Sequence, residues 1–484
     1  MARDLVAGID SSTQSCTVQL RRLDDGVVVA EARAPHPLTT PPLSEQAPEA
    51  WWGAFKLCLA ELESHLPRIA AISVGGQGHG LVLLDDTDRA LRPAKLWNDT
   101  QSAPDAERLL KALPASEWAR RTGSVPAPAL TISKLAWTER NYPGLVAKAR
   151  RIMLPFDYVV YRLARHAVTE RGGSSGTGYF NPFHNSWDFE LADLAVPGID
   201  WSTKVPDIVA SNERAGVVSD AVGVGALAGA VVGAGTGDNM TAALGLNVLE
   251  GDTVISLGTS GTIYGRSRTG VKDATGSING YADAANSFLP MVTTLNAAKV
   301  NDAIRRLLDL SYEDFDQLAL TAPLGAEGLV LVPYFDGERT PNLPGATGTL
   351  FGMRSNISRA CLARATIEGV LCGLLEGGDL LAHHGVPRDG RLILTGGAAR
   401  SKAYRQILAD LTGRPVWICS LAETAAAGAA VQAAAALTTT ATDEIAAAWA
   451  PRLEISAEPA GTDAGAVRQA YRQASATAFA TTSS

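Results

Sequence analysis

The chain has 484 residues, 46% hydrophobic and 19% charged, which fits a globular protein of two or three domains and excludes a disordered or fibrous one. Its formal net charge of -8 argues against nucleic acid or an anionic membrane as partner, because phosphates are met by basic surfaces. The five cysteines, Cys16, Cys58, Cys361, Cys372 and Cys419, are scattered without a CxxC pair, so neither a disulfide framework nor a zinc site is indicated.

Arg3 and Asp4 stand where the apolar core of a signal peptide would begin, and a cytoplasmic protein is expected. Leu5 to Asp10 reads as a strand that ends on a carboxylate. Small and polar residues follow, Ser11 to Ser15, and Cys16 to Leu23 is a second strand. Asp25-Gly26 signals a hairpin into a third strand, Val27 to Arg33. Glu49 to Glu63 has helical spacing, with Trp52, Phe55, Leu59 and Leu62 on one face. Ala70 to Val74 is a short strand that enters Gly75-Gly76-Gln77-Gly78-His79-Gly80. The most apolar stretch, Ala221 to Ala234, is too short and glycine-rich to span a membrane. Within it Ala230 to Val232 is a strand, and Asp238 follows shortly at a helix start.

Farther on, "ISLGTSGTIYG", from Ile255, repeats the opening layout. An apolar strand leads into a small-residue turn, and Thr259 stands where Thr13 stands. Two such units half a chain apart suggest two similar halves. Arg359 to Ala382 reads as a long helix, capped by Asn356 or Ser358. Arg391 to Leu394 is a strand that enters Thr395-Gly396-Gly397-Ala398. Ala425 to Ala436 is an alanine-rich helix whose small side chains permit close packing. The Ser, Ala and Thr residues at the end are expected to fray. The pattern predicts an α/β protein of two domains with a cleft between them.

Three glycine-rich turns after strands, near Ser12, Gly258 and Gly396, offer free amides to an anion. None matches a P-loop or a dinucleotide fingerprint. Asp10 and Asp238 each end a strand; such a carboxylate holds magnesium or accepts a proton, or it is simply a turn residue or a helix cap. His79 lies between glycines, open to a small polar ligand or bonded to backbone. "LWNDTQS" sets Trp97 beside Asn98 and Asp99, either a grip for a sugar or a core tryptophan before a helix. "PYFDGERTPN", from Pro333, is a polar loop that reads as a rim or clamp.

Taken together, "GIDSSTQS", "GGQGHG", "LWND", "GTGDN", "SLGTSG", "PYFDGERTPN" and "LTGGAARS", in this order, resemble the FGGY family of carbohydrate kinases. The resemblance implies two actin/hexokinase-type, ribonuclease H-like ATPase domains, 1–245 and 246–484, with ATP and sugar meeting in the cleft. "SEQAPEAWW", "GQGHG" and "PAKLWNDTQSAP" are most similar to the branch that phosphorylates D-xylulose at O5; sister branches act on D-ribulose or glycerol, and a non-kinase actin-like ATPase is a more distant reading. By this resemblance Asp238 is the general base, and Asp10 supports Mg2+ on ATP, through water. Gly78, His79, Trp97, Asn98, Asp99, Asp238 and Asn239 bind the sugar. Ser12, Thr13, Gly258, Thr259, Ser260, Gly396, Gly397 and Ala398 bind ATP. Where the family carries Met-His this chain has Gly78-His79, and Ser12 replaces a frequent glycine. Family members are often homodimers.

Overall fold

A computed structural model describes residues 3–219 and 223–482, with side chains to 480; Ala221 and Val222 of the predicted apolar stretch lie outside the described residues. Two mixed sheets organise the chain. In the first, β1 (Leu5–Ser11) pairs antiparallel with β2 (Ser15–Arg22), and β2 with β3 (Val28–Pro35). On its other side β1 runs parallel to β4 (Ile69–Gly76). The edge strand β5 (Arg214–Val217) pairs antiparallel with β6 (Val231–Gly233), which runs parallel to β4; the short β7 (Thr236–Gly237) lies beside the far end of β4. β1 and β4 are nearly continuous runs of Leu, Val, Ile and Ala because both of their faces are covered.

The second sheet repeats this plan. It comprises β8 (Thr253–Leu257), β9 (Gly261–Gly265), β10 (Asn279–Ala282), β11 (Phe288–Thr294), β12 (Leu392–Thr395), β13 (Val416–Cys419) and β14 (Leu453–Ala457). Their order is β10-β11-β9-β8-β12-β13-β14. The hairpin β8-β9 is antiparallel and β8 is parallel to β12, as β1-β2 is antiparallel and β1 parallel to β4. The echo read in the sequence is therefore an echo in structure, with Thr13 and Thr259 at matching places in the two hairpin turns.

Four helices set the remaining frame. α1 (Pro48–Glu61) lays Trp52, Phe55 and Leu59 into the core of the first sheet. α2 (Asp238–Gly245) begins at the end of β7. α3 (Arg359–His383) crosses the second sheet's core; of the two candidate caps, Ser358 acts, its Oγ accepting from the Cys361 N–H at 3.1 Å. α4 (Thr424–Thr438) belongs to the second half of the chain but packs on β1, β4 and α2 of the first. The approach is close because the contact is glycine and alanine. A Cβ on Gly428 would fall 1.7 Å from the Thr241 carbonyl oxygen, and one on Gly245 2.0 Å from that of Thr424. Gln432, fully buried on α4, accepts from Ser73 Oγ at 2.8 Å and donates to the Gly235 carbonyl at 3.3 Å.

The frayed end expected from composition is not found through residue 482. Gly465–Thr482 is a helix, α5, whose Tyr471, Ala474 and Ala478 are buried against the second half. Apolar residues at helical spacing outweigh the Ser and Thr between them. All five cysteines are free, and only Cys419 is not fully buried. No helix among the described residues is long and apolar enough to cross a membrane.

Candidate active site

Strand register places the two acids. Asp10 of β1 pairs with Gly75 of β4, and Gly237 of β7 pairs with Gly76. Asp10 and Asp238 therefore flank the same end of one strand, about 10 Å apart by two interstrand spacings. Both residues are half-buried. Asp10 is not a turn-forming residue: Ser12 Oγ donates to its Oδ1 at 2.5 Å, while the turn closes through the Ser12 N–H on the Ser15 carbonyl. Burial lifts the Asp10 pKa from 3.8 to about 7, the Ser12 bond opposing and the like charges of Asp238 and Glu423 adding.

Asp238 is the first residue of α2, and Gly237 is the cap position. Its Oδ1 accepts twice from Asn239, from N–H at 2.8 Å and Nδ2 at 3.0 Å. Burial raises its pKa to about 6 against those bonds. Behind it stands a carboxylate at the point where the strand 168–170 enters the glycine-rich run 172–178. Glu170, fully buried, accepts from Thr236 Oγ1 at 2.6 Å, Ser211 Oγ at 2.7 Å and the Gly172 N–H at 2.8 Å. It thereby fixes β7, the strand that delivers Asp238.

The Gln77–Gly80 turn follows β4. Gln77 ties it to the first hairpin, its N–H donating to the Ser11 carbonyl at 3.1 Å and its Nε2 to that of Ser12 at 3.2 Å. Gly78 is half-buried, and a Cβ there would meet nothing within 4 Å. His79 adopts φ 62° and packs on Tyr281 of β10, with ring centroids 5.2 Å apart and the planes tilted by 35°. Burial first, then the nearby charges of Arg339 and Lys134, push its pKa down to about 3, so the ring is neutral at working pH. His79 Nδ1 is buried against the Gly176 backbone, while Asn98 Oδ1 is buried without a hydrogen-bond partner, as expected of a group that a ligand satisfies.

Trp97 donates from Nε1 to Thr13 Oγ1 at 2.9 Å, which joins the Trp97–Asp99 turn to the first hairpin and leaves the Thr13 proton to donate elsewhere. Asp99 departs from expectation. It is fully buried; Oδ2 accepts from the Ser44 N–H at 2.9 Å and Lys95 Nζ at 3.0 Å, and Oδ1 from the Gln101 N–H at 3.1 Å. Both oxygens hold protein partners, Ser44, Lys95 and Gln101, and its burial leaves Asp99 the least open to a sugar of the residues in this turn.

The second sheet supplies the other wall. Ser256 of β8 pairs with Thr395 of β12, so the turns at Gly258–Ser260 and Gly396–Ala398 are neighbours. Gly258, Thr259, Gly396 and Gly397 are exposed, and Ser260 and Ala398 half-buried. Gly396 has φ 81°, and a Cβ there would lie 2.5 Å from the Leu257 carbonyl oxygen, so only glycine closes this turn. The loop "PYFDGERTPN" brings Arg339 to the cleft beside Tyr281 and within electrostatic reach of His79. Neither residue was singled out individually from sequence. Among the described residues no cluster of three or more His, Cys, Asp or Glu could hold a metal by itself. A magnesium ion carried by phosphates fits this: Mg2+ keeps several waters and commonly needs only one or two carboxylates, and Asp10 is at hand.

Comparison with known proteins identifies the family. The N-terminal domain model of the FGGY family of carbohydrate kinases matches residues 5–245, and the C-terminal domain model matches 253–437. The chain is 40% identical over 456 residues to the xylulose kinase of Streptomyces rubiginosus, covering 94% of this chain and 92% of that one. The crystal structure of xylulose kinase from Bifidobacterium adolescentis matches with a TM-score of 0.85 at 34% identity, over 98% of this chain and 99% of that one. Gluconate kinase from Lactobacillus acidophilus, at 23% identity, has a TM-score of 0.91 over 99% of this chain and 98% of that one, a likeness of fold alone.

Proposed function

Because the chain belongs to the FGGY family of carbohydrate kinases, we propose that it transfers the γ-phosphoryl group of ATP to O5 of D-xylulose, giving D-xylulose 5-phosphate and ADP. The observation that carries the reading is the pair of acids flanking the end of β4, between the Gly78-His79 turn and the first hairpin. The names of the relatives support the choice of sugar. ATP as second substrate puts the enzyme in the cytoplasm.

In this reading Asp238 takes the proton of the attacking hydroxyl. Its O–H bond breaks as the new O–P bond forms and the bond to the β-phosphate bridging oxygen breaks. A pKa of about 6 leaves Asp238 mostly ionised at neutral pH while making it a stronger base than an ordinary carboxylate; such help contributes about 10² to 10⁴ in rate. His79, neutral, and Asn98 hold sugar hydroxyls, with Trp97 beside them and Asn239 steadying the base. Amides and hydroxyls of Ser12, Thr13, Gly258, Thr259 and Ser260 receive the phosphate tail, and Gly396, Gly397 and Ala398 carry the nucleotide. Asp10 would hold Mg2+ through water; the ion when bound neutralises phosphate charge. Positioning and charge neutralisation dominate phosphoryl transfer.

A second reading is a sister kinase for another ketose or a polyol, and Gly78 favours it. The space beyond its Cα is open, so the sugar pocket has room that a side chain would fill. A coupled assay of ADP release with D-xylulose, D-ribulose, glycerol and D-gluconate separates the two. D-xylulose is expected to give the highest kcat/KM; a higher value for any other sugar transfers the assignment to that sugar.

A further inference from the structure

The sugar-side turn at His79 comes from the first half of the chain, but its near neighbours come from the second. Tyr281 packs its ring on His79. Arg339 stands beside Tyr281 on a loop that is anchored with unusual thoroughness for a surface connection. Glu338, the residue before it, is 2% exposed. Its carboxylate accepts from Thr294 Oγ1 at 2.5 Å, Asn296 Nδ2 at 2.9 Å, the Leu295 N–H at 2.8 Å and the Arg339 N–H at 2.7 Å. The backbone that carries Arg339 is thus fixed to the end of β11.

The guanidinium itself is half-buried. Nη2 donates to Asn279 Oδ1 at 2.7 Å, and Asn279 Nδ2 reaches Ser124 Oγ of the first half at 3.4 Å. Among the described residues no carboxylate forms an ion pair with Arg339. Two other shielded arginines of this region, Arg171 and Arg266, both have one, at 3.6 Å and 3.0 Å from Asp283. A guanidinium has five N–H donors. One that is held in place, shielded from bulk water and left without a carboxylate has donors to offer a ligand rich in acceptors.

We propose that Arg339 is a sugar-binding residue contributed by the second half of the chain, its N–H groups donating to adjacent hydroxyl oxygens of the sugar that His79 holds, and that Tyr281 is a positioning residue acting through His79. This rests on the reading of that turn as the sugar site. Its consequence is that the sugar touches both halves.

The test is calorimetric titration of D-xylulose and, separately, of ADP into the wild type and four variants. Arg339→Ala is expected to weaken the sugar about 10- to 100-fold, the range for losing bonds from a charged donor. Arg339→Lys, which keeps charge and length but not the fork, recovers part of the loss. ADP affinity changes by less than about twofold in both. Tyr281→Ala weakens sugar binding, and Tyr281→Phe, which keeps the ring on His79 but loses the hydroxyl bonded to Arg339, restores part of it. Unchanged sugar affinity in both Arg339 variants, or equal loss for sugar and ADP in Arg339→Lys, overturns the role of Arg339. Loss in Tyr281→Phe as large as in Tyr281→Ala overturns the role of Tyr281. A wild type that binds none of the sugars in the panel would instead remove the sugar reading beneath.

Discussion

The two hairpins β1-β2 and β8-β9 share a layout and differ in what they carry. The first holds Asp10 one residue before its strand ends; the second holds Ser256 there. The first turn is braced on several sides: His36 Nδ1 lies 2.9 Å from the Ser12 carbonyl, and Gln77 and Trp97 bond to Ser12 and Thr13. Among the described residues the second is held by backbone alone, with the Ala297 and Ala298 N–H groups donating to the Thr259 and Gly258 carbonyls at 3.4 and 3.0 Å, and it leaves Gly258 and Thr259 exposed. A buried carboxylate must be held and hydrogen-bonded to stay where desolvation penalises it. A turn without a carboxylate needs no side-chain bracing of this kind. The same fold unit thus occurs once with a buried charge and once without.

Substitutions separate these jobs. The largest effect is expected outside both hairpins, at the acid they frame. Asp238→Asn should reduce kcat by about 10² to 10⁴ with sugar binding retained; kcat within a few-fold of wild type would exclude Asp238 as base. Next, Asp10→Asn should lower activity and raise the Mg2+ needed for half-maximal rate, while Ser256→Ala, the matching change in the second hairpin, should shift neither by more than about fivefold, a single neutral hydrogen bond. Equal sensitivity to magnesium in the two variants would erase the distinction.

The pH profile sharpens the same contrast. Activity should rise through about pH 6 as Asp238 ionises and again through about pH 7 as Asp10 does, with the upper step absent in Asp10→Asn. A single step unchanged by that variant would contradict it. Stability runs the other way. A carboxyl whose folded pKa is raised binds its proton more tightly when folded, so folding stability falls as pH rises from the unfolded value toward the folded one. Asp238→Asn should therefore melt higher than wild type at about pH 8, with the gap narrowing toward about pH 4. The smallest expected effect is Trp97→Phe, which removes one bond to Thr13 and should raise the KM for ATP about fivefold or less.

What was legible in the sequence was local. A strand running into small residues shows itself as a run of letters, so β1, β4, β8 and β12 and their turns could be placed before any fold was known. What failed needed partners distant in the chain, or the distinction between buried and open polar groups. Asp99 looked like a ligand because its neighbours are polar. The clue was Lys95, four residues earlier, which pairs with it in the interior. Glu170 ends a strand that enters the glycine-rich run 172–178, a local signal of the same kind, whereas Tyr281 and Arg339 are brought together only by tertiary packing. The C-terminal helix was hidden because Ala, Ser and Thr dominate its composition, while the spacing of Tyr471, Ala474 and Ala478 decides its structure.

α4 also bears on how the molecule comes into being. The cover for one face of the first sheet arrives late in synthesis, since β1 waits for residues 424–438 to reach Gly8, where a Cβ would strike the Ala426 carbonyl oxygen at 1.9 Å. That face of β1 must therefore remain partly bare in the nascent chain until residues 424–438, more than 400 positions later, have been made.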